Sequence, residues 1–94
     1  MKKILSSVAK KALRKKAYSL KPVVIIGQNG LTETVLTEIN IALNVHELIK
    51  VRIRGLDKDE RIKQCSRIEQ QLNAELIHQI GFIKVFYRPK PVTF

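Results

Sequence analysis

Three changes of hydrophobic period divide the middle of the chain. Val23, Val24, Ile25 and Ile26 form an unbroken β-branched run, the pattern of a strand buried on both faces or central in a sheet. From about residue 32 to 44, Val35, Leu36, Ile39, Ala42 and Leu43 recur at helical spacing. Thr32 is placed to cap that helix, and Leu31 and Leu36 have the spacing of a hydrophobic staple. The segment "ELIKVRIRG" then alternates strictly. Ile49, Val51 and Ile53 point one way; Leu48, Lys50, Arg52 and Arg54 point the other. Strand, helix, strand is the reading.

The flanks follow the same logic. Residues 4 to about 18 carry Leu5, Val8, Ala9, Ala12 and Leu13 on one helical stripe, with Lys3, Lys10, Lys11, Arg14 and Lys15 around much of the remainder. Pro22 marks the change to extended chain, because a residue before proline is pushed out of the helical region. A third helix, about 58–73, has Ile62, Cys65, Ile68 and Leu72 on its stripe and Asp57 with Glu60 in an approximate capping box. Two short strands, about 75–80 and 82–88, meet near Gly81. Pro89 and Pro91 end the second, and the tail from about 89 is expected to be loose.

The order α-β-α-β-α-β-β predicts one α/β domain over residues 1–94. Right-handed crossovers predict a two-layer arrangement, with helices on one face of a mixed four-stranded sheet. The other face is then open. Lys50, Arg52 and Arg54 are expected on it, with Lys84 and Arg88 from the last strand at the same parity. A merely solvated sheet surface is the plain alternative.

Charge narrows the partners. Eighteen Lys and Arg against eight Asp and Glu leave a net +10. Lys2, Lys3, Lys10, Lys11, Arg14, Lys15, Lys16 and Lys21 all precede the first acidic residue, Glu33. Such asymmetry favours a polyanion, nucleic acid before a small acidic substrate. A simply soluble basic surface and an anionic membrane are the competing explanations. No apolar run approaches the roughly 18–20 residues of a membrane span. The start, "MKKILSSVAKK", resembles a secretory signal, but its apolar stretch falls short of the ~7–15 residues required. A basic organellar presequence stays open there. The single Cys65 excludes an internal disulfide and a cysteine-based zinc site. A reduced, intracellular protein is expected.

Between the first strand and the second helix lies Gly27-Gln28-Asn29-Gly30. A helix N-terminus offers unpaired N–H groups and the positive end of its dipole, and glycine lets a phosphate approach the backbone. G-x-x-G alone is also a common tight turn. Neither a dinucleotide fingerprint nor a phosphate-loop lysine accompanies it. Elsewhere, His46 beside Glu47 reads as a helix-end histidine before a catalytic or metal pair, and His78 as a partly packed strand residue. Cys65 reads as core, and Asp57, Asp59 and Glu60 as helix-start carboxylates. No metal or cofactor is assigned. Tyr18, Phe82, Phe86 and Tyr87 are the aromatics able to stack on bases, with packing as their default role.

Three segments in order, "KPVVIIGQNGLT", "HELIKVRI" and "IGFIKVFYRP", closely resemble the CRM domain (chloroplast RNA splicing and ribosome maturation) in its bacterial stand-alone form, the YhbY family. The likeness spans about residues 13–89. It implies a fold similar to the C-terminal domain of a bacterial translation initiation factor. It also implies RNA binding, with precursor large-subunit ribosomal RNA as the partner; a non-enzymatic, cytoplasmic, monomeric protein without cofactor is the accompanying expectation. The loop Gly27, Gln28, Asn29, Gly30 matches the family's RNA-contacting GXXG. Lys10, Arg14, Lys15, Lys21, Lys50, Arg52, Arg54, Lys84 and Arg88 are its expected basic surround. The sequence departs from the family at Ala17-Tyr18, where Ala-His is frequent, and at Leu72-Asn73-Ala74, where Thr-Gly-Ala is frequent. Two other readings are carried: an RNA-modifying or RNA-cleaving enzyme using His46 and Glu47, and a membrane-surface or protein-docking module built on the first helix.

Overall fold

A computed structural model describes residues 6–27, 29–54 and 57–90. The elements are α1 (Ser7–Ala17), β1 (Pro22–Ile26), α2 (Glu33–His46), β2 (Leu48–Ile53), α3 (Lys58–Leu72), β3 (Glu75–Ile80) and β4 (Ile83–Tyr87). Their order is the expected one. Each helix start has a side-chain cap. Ser6, Thr32 and Asp57 accept the N–H groups of Ala9, Val35 and Glu60. Such caps satisfy donors that the first helical turn leaves orphaned, each contributing about 1 kcal/mol.

The sheet runs β1-β2-β4-β3. β1 and β2 are parallel, while β4 is antiparallel to both neighbours. β3 therefore runs parallel to β2, with the returning strand of its own hairpin filling the space between them. The crossover helices α2 and α3 pack on one face. Leu36, Ile39 and Leu43 from α2, with Cys65 and Ile68 from α3, close over Val24, Ile26, Ile49, Val51, Ile53 and Phe86.

Three expectations change here. The run Val23–Ile26 belongs to an edge strand. Only Val24 and Ile26 are buried, while Val23 and Ile25 are about half exposed. Next, α1 does not join the other helices. Ala17, with Leu13 and Leu20, packs over Leu48, Ile77, Val85 and Tyr87 on the opposite face. Leu48 alternates with Ile49, so a buried Leu48 requires a cover on that second side. The contact stripe of α1 is consequently Leu13 and Ala17, while Val8 and Ala12 are exposed. Leu5 lies outside the described residues. On α3, Ile62 is likewise exposed.

Lastly, Lys84 and Arg88 face the helices. Val51 pairs with Lys84 and Ile49 with Phe86, so Lys84, Phe86 and Arg88 share the side of the main core. Lys84 is buried. The Arg88 guanidinium donates to Asn40 Oδ1, Asn40 O, Asn44 Oδ1 and Leu72 O at 2.8–3.1 Å, joining the C-terminal halves of α2 and α3. Burial lowers its pKa from a value so high that it stays charged. Neither residue belongs to an open basic surface. β4 is a central strand whose Lys84, Val85 and Phe86 are all buried, so it has no polar face to present.

Candidate nucleic-acid interface

The loop after β1 starts from its two glycines, which do different things. The Gly30 N–H donates to Gly27 O at 3.0 Å and closes a tight turn; Gly30 O then accepts the Thr32 N–H at 3.2 Å. This geometry puts Gly30 at φ 74°, a left-handed conformation that disfavours any side chain. Gly30 is also buried against α3, where an added Cβ would stand 3.4 Å from Gln64 Nε2. Gly27 is exposed, and an added Cβ there meets nothing within 4 Å. Gly30 therefore serves the turn, whereas Gly27 leaves the backbone uncovered. Gly30→Ala is expected to cost about 1–2 kcal/mol of stability and Gly27→Ala close to nothing, as read by urea unfolding.

Behind the turn, the Thr32 hydroxyl accepts the Val35 N–H at 3.2 Å and its carbonyl accepts the Leu36 N–H at 2.9 Å. The Glu33 and Thr34 amides have no acceptor among the described residues, as expected for the first turn of a capped helix. Glu33 adds one negative charge at this end, so a net positive field must come from other elements. β2 and α3 supply it. The Arg54 N–H donates to Ile26 O at 2.7 Å, which holds this exposed arginine directly beside Gly27. Arg52 is exposed one pleat back, paired with Ile25 on β1 and Ile83 on β4. Arg67 from α3 donates to Leu31 O at 3.1 Å and braces the loop from behind.

The uncovered half of the second sheet face adjoins this end. Ile25, Arg52, Ile83 and Ile80 form a row across all four strands. Next to it, Lys50 shares a cavity of about 160 Å³ with Arg14, Tyr18 and His78. Tyr18 is exposed at its rim. The fold thus brings Gly27, Asn29, Gly30, Arg52 and Arg54 together, with Lys50 and Arg14 a step away. Gln28 lies outside the described residues.

Other expected contacts are dispersed. Lys21 stands at the opposite end of β1, about 20 Å of extended chain from Gly27. Lys10 lies 3.5 Å from the buried Glu75 carboxylate, an ion pair without hydrogen-bond geometry. Lys15 is exposed on the outer side of α1. Arg67 escaped the sequence reading. Its partner is 36 positions away, and only its place on the polar face of α3 hinted at it. The Glu47 carboxylate accepts the Lys90 N–H at 2.8 Å, holding Lys90 beside the end of α2, and His46 is exposed there. Among the described residues no three His, Cys, Asp or Glu cluster as metal ligands, and no helix is long and apolar enough to cross a membrane.

Comparison with known proteins gives a consistent set of relatives. The family model for the CRS1 / YhbY (CRM) domain matches residues 5–88. A Haemophilus influenzae protein named "RNA-binding protein" is 46% identical over 85 residues, covering 90% of this chain and 86% of the relative. A Pseudomonas aeruginosa protein, named a probable RNA-binding protein, is 39% identical over 87 residues, 93% of this chain and 84% of its own. The CRS2-associated factor 2 of rice chloroplasts is 32% identical over 63 residues, 67% of this chain but 10% of that protein. Among solved structures, that of a hypothetical protein from Staphylococcus aureus superposes with a TM-score of 0.81 at 27% identity, covering 97% of this chain and 95% of that one.

Proposed function

The chain belongs to the CRS1 / YhbY (CRM) domain family, and from that premise we propose that it is a non-catalytic RNA-binding protein whose GQNG loop and adjoining arginines grip the RNA backbone. One observation carries this reading. Gly27 offers exposed main chain with open space where a side chain would be, in the turn that leads into α2 and next to Ile26, whose carbonyl accepts the Arg54 N–H. A phosphate settling there meets backbone donors, the helix dipole and an arginine fork at once. The names of the bacterial relatives support RNA as the polyanion. The uncovered sheet face beside Tyr18 suits unpaired bases, so single-stranded or looped RNA fits better than a regular duplex.

The test is a charge placed where the phosphate goes. Gly27→Asp leaves the fold intact, since nothing lies near its Cβ, and is expected to weaken RNA binding by about tenfold. Gly27→Ala serves as the folding control, and filter or fluorescence binding at fixed salt reads both. An unchanged affinity for Gly27→Asp removes the loop from the mechanism. The finer role, a cytoplasmic factor in large-subunit assembly acting as a monomer on precursor ribosomal RNA, is part of the same proposal. Crosslinking in cells followed by sequencing of the attached RNA tests it, and recovery of unrelated RNA alone would reject it.

A further inference from the structure

Lys84 raises a problem of its own. It is 6% exposed, on the core side of a central strand. Its ammonium donates to Gln79 Oε1 at 2.9 Å and to Gly81 O at 3.3 Å, both neutral acceptors. A lysine has three N–H donors, so among the described residues one is left without a partner and no ion pair to a carboxylate joins the charge. Burying a charge in this way is costly unless an opposite charge joins it. Lys84 lines a cleft of about 360 Å³ between α3 and the β3–β4 hairpin, and the Lys58 and Arg61 side chains stand along the same cleft. Arg61 is oriented by its position over the Phe82 ring, 5.1 Å from the centroid. One acid, Glu69, shares the wall, and its Oε2 already accepts the Leu76 N–H at 3.1 Å. Three cations face one carboxylate in a space that holds several waters or a small ligand.

We propose that this cleft binds a phosphoryl group, with the Lys84 ammonium as its principal ligand and Lys58 and Arg61 closing over it. A tetrahedral oxyanion takes the free Lys84 donor and neutralises the buried charge. The cleft lies two strand spacings, roughly 10 Å, from the end of β1, so it is a site separate from the GQNG loop and does not rest on the reading of that loop. Cys65, the only cysteine, lines the same cleft and reports on it. Its thiol pKa is raised by burial, while the charge of Lys84 pulls it down and Glu69 raises it further.

The experiment titrates the intact protein, in a non-phosphate buffer, with inorganic phosphate, a nucleoside 5′-monophosphate, and a short oligoribonucleotide bearing a 5′-hydroxyl. Amide and side-chain NMR shifts at Gly81 and Lys84, with the rate of Cys65 alkylation, are the readouts. Saturable shifts and slowed alkylation are expected in the wild type. Lys84→Met, which keeps the apolar stem and removes the charge, is expected to fold and to weaken binding by about tenfold or more. A response to the oligoribonucleotide assigns the cleft to an RNA backbone phosphate; a response to the monophosphates alone assigns it to a free phosphorylated ligand. No saturable response to any of the three, or equal affinity in Lys84→Met, overturns the proposal. Should Lys84→Met not fold, the exposed Lys58→Ala decides: a few-fold loss of affinity supports the cleft, and none overturns it.

Discussion

Arg88→Ala is expected to lower the free energy of unfolding by about 2–3 kcal/mol, among the larger effects of a single polar substitution in this fold. Four donor–acceptor pairs meet at its guanidinium, and two of the acceptors are main-chain carbonyls, Asn40 O on α2 and Leu72 O at the end of α3. Buried apolar residues of α2 and α3 share one core cluster, and the fork ties the two helices together at the end remote from their caps. Water can reach the partly buried site and recover part of the loss, which keeps the effect below that of a fully buried charge. For a domain of this size the midpoint temperature should fall by about 10–20 °C. Arg88→Lys keeps a charge without the planar fork and should recover only a minor share. Thermal and urea unfolding measure both variants. RNA affinity at low temperature, where the variant is still folded, should match wild type, because the side chain faces away from the interface. A loss of affinity without a loss of stability would return Arg88 to the basic surface.

The second large effect concerns Arg52 and Arg54. Reversing both charges is expected to lower RNA affinity at moderate salt by about tenfold or more. The slope of log affinity against log salt should become shallower by about 1.4, at ~0.7 for each single-strand phosphate that is no longer neutralised. Lys21→Glu with Lys15→Glu changes net charge by the same amount at positions away from the loop. That pair should reduce affinity only through the general field, with a smaller change of slope. If the two pairs behave alike, the basic surface acts as a diffuse cloud and the arginines beside Gly27 have no special place. Both variants should keep wild-type stability, since all four side chains are exposed.

Much of the architecture was legible because local rules and tertiary structure agree along most of the chain. α2 is the clearest case. The Thr32 cap, the Leu31–Leu36 pair and the buried Leu36, Ile39 and Leu43 all stand where period and capping chemistry place them. The alternation in β2 likewise put Ile49, Val51 and Ile53 on one side and Arg52 on the other. The candidate site was legible in part: Arg52 and Arg54 are exposed at the end of β2 that adjoins Gly27, while Lys10, Lys21, Lys84 and Arg88 go elsewhere. For Lys84 and Arg88 the reason is the period of two itself. Alternation says which residues of one strand share a side, but it does not say which side faces the helices. In β4, Ile83, Val85 and Tyr87 form one apolar set while Phe86 anchors the other, so the sequence offers no polar face to choose.

The chain order of elements, their capped helix starts and the glycine turn before α2 were set by the sequence alone, because each depends on residues within about four positions of one another. The insertion of β4 between β2 and β3, the crossing of α1 onto the second face and the burial of Lys84 were decided by the tertiary structure. Each of these depends on register between distant strands, here Val51 opposite Lys84, and register is a property of paired strands that neither strand carries by itself.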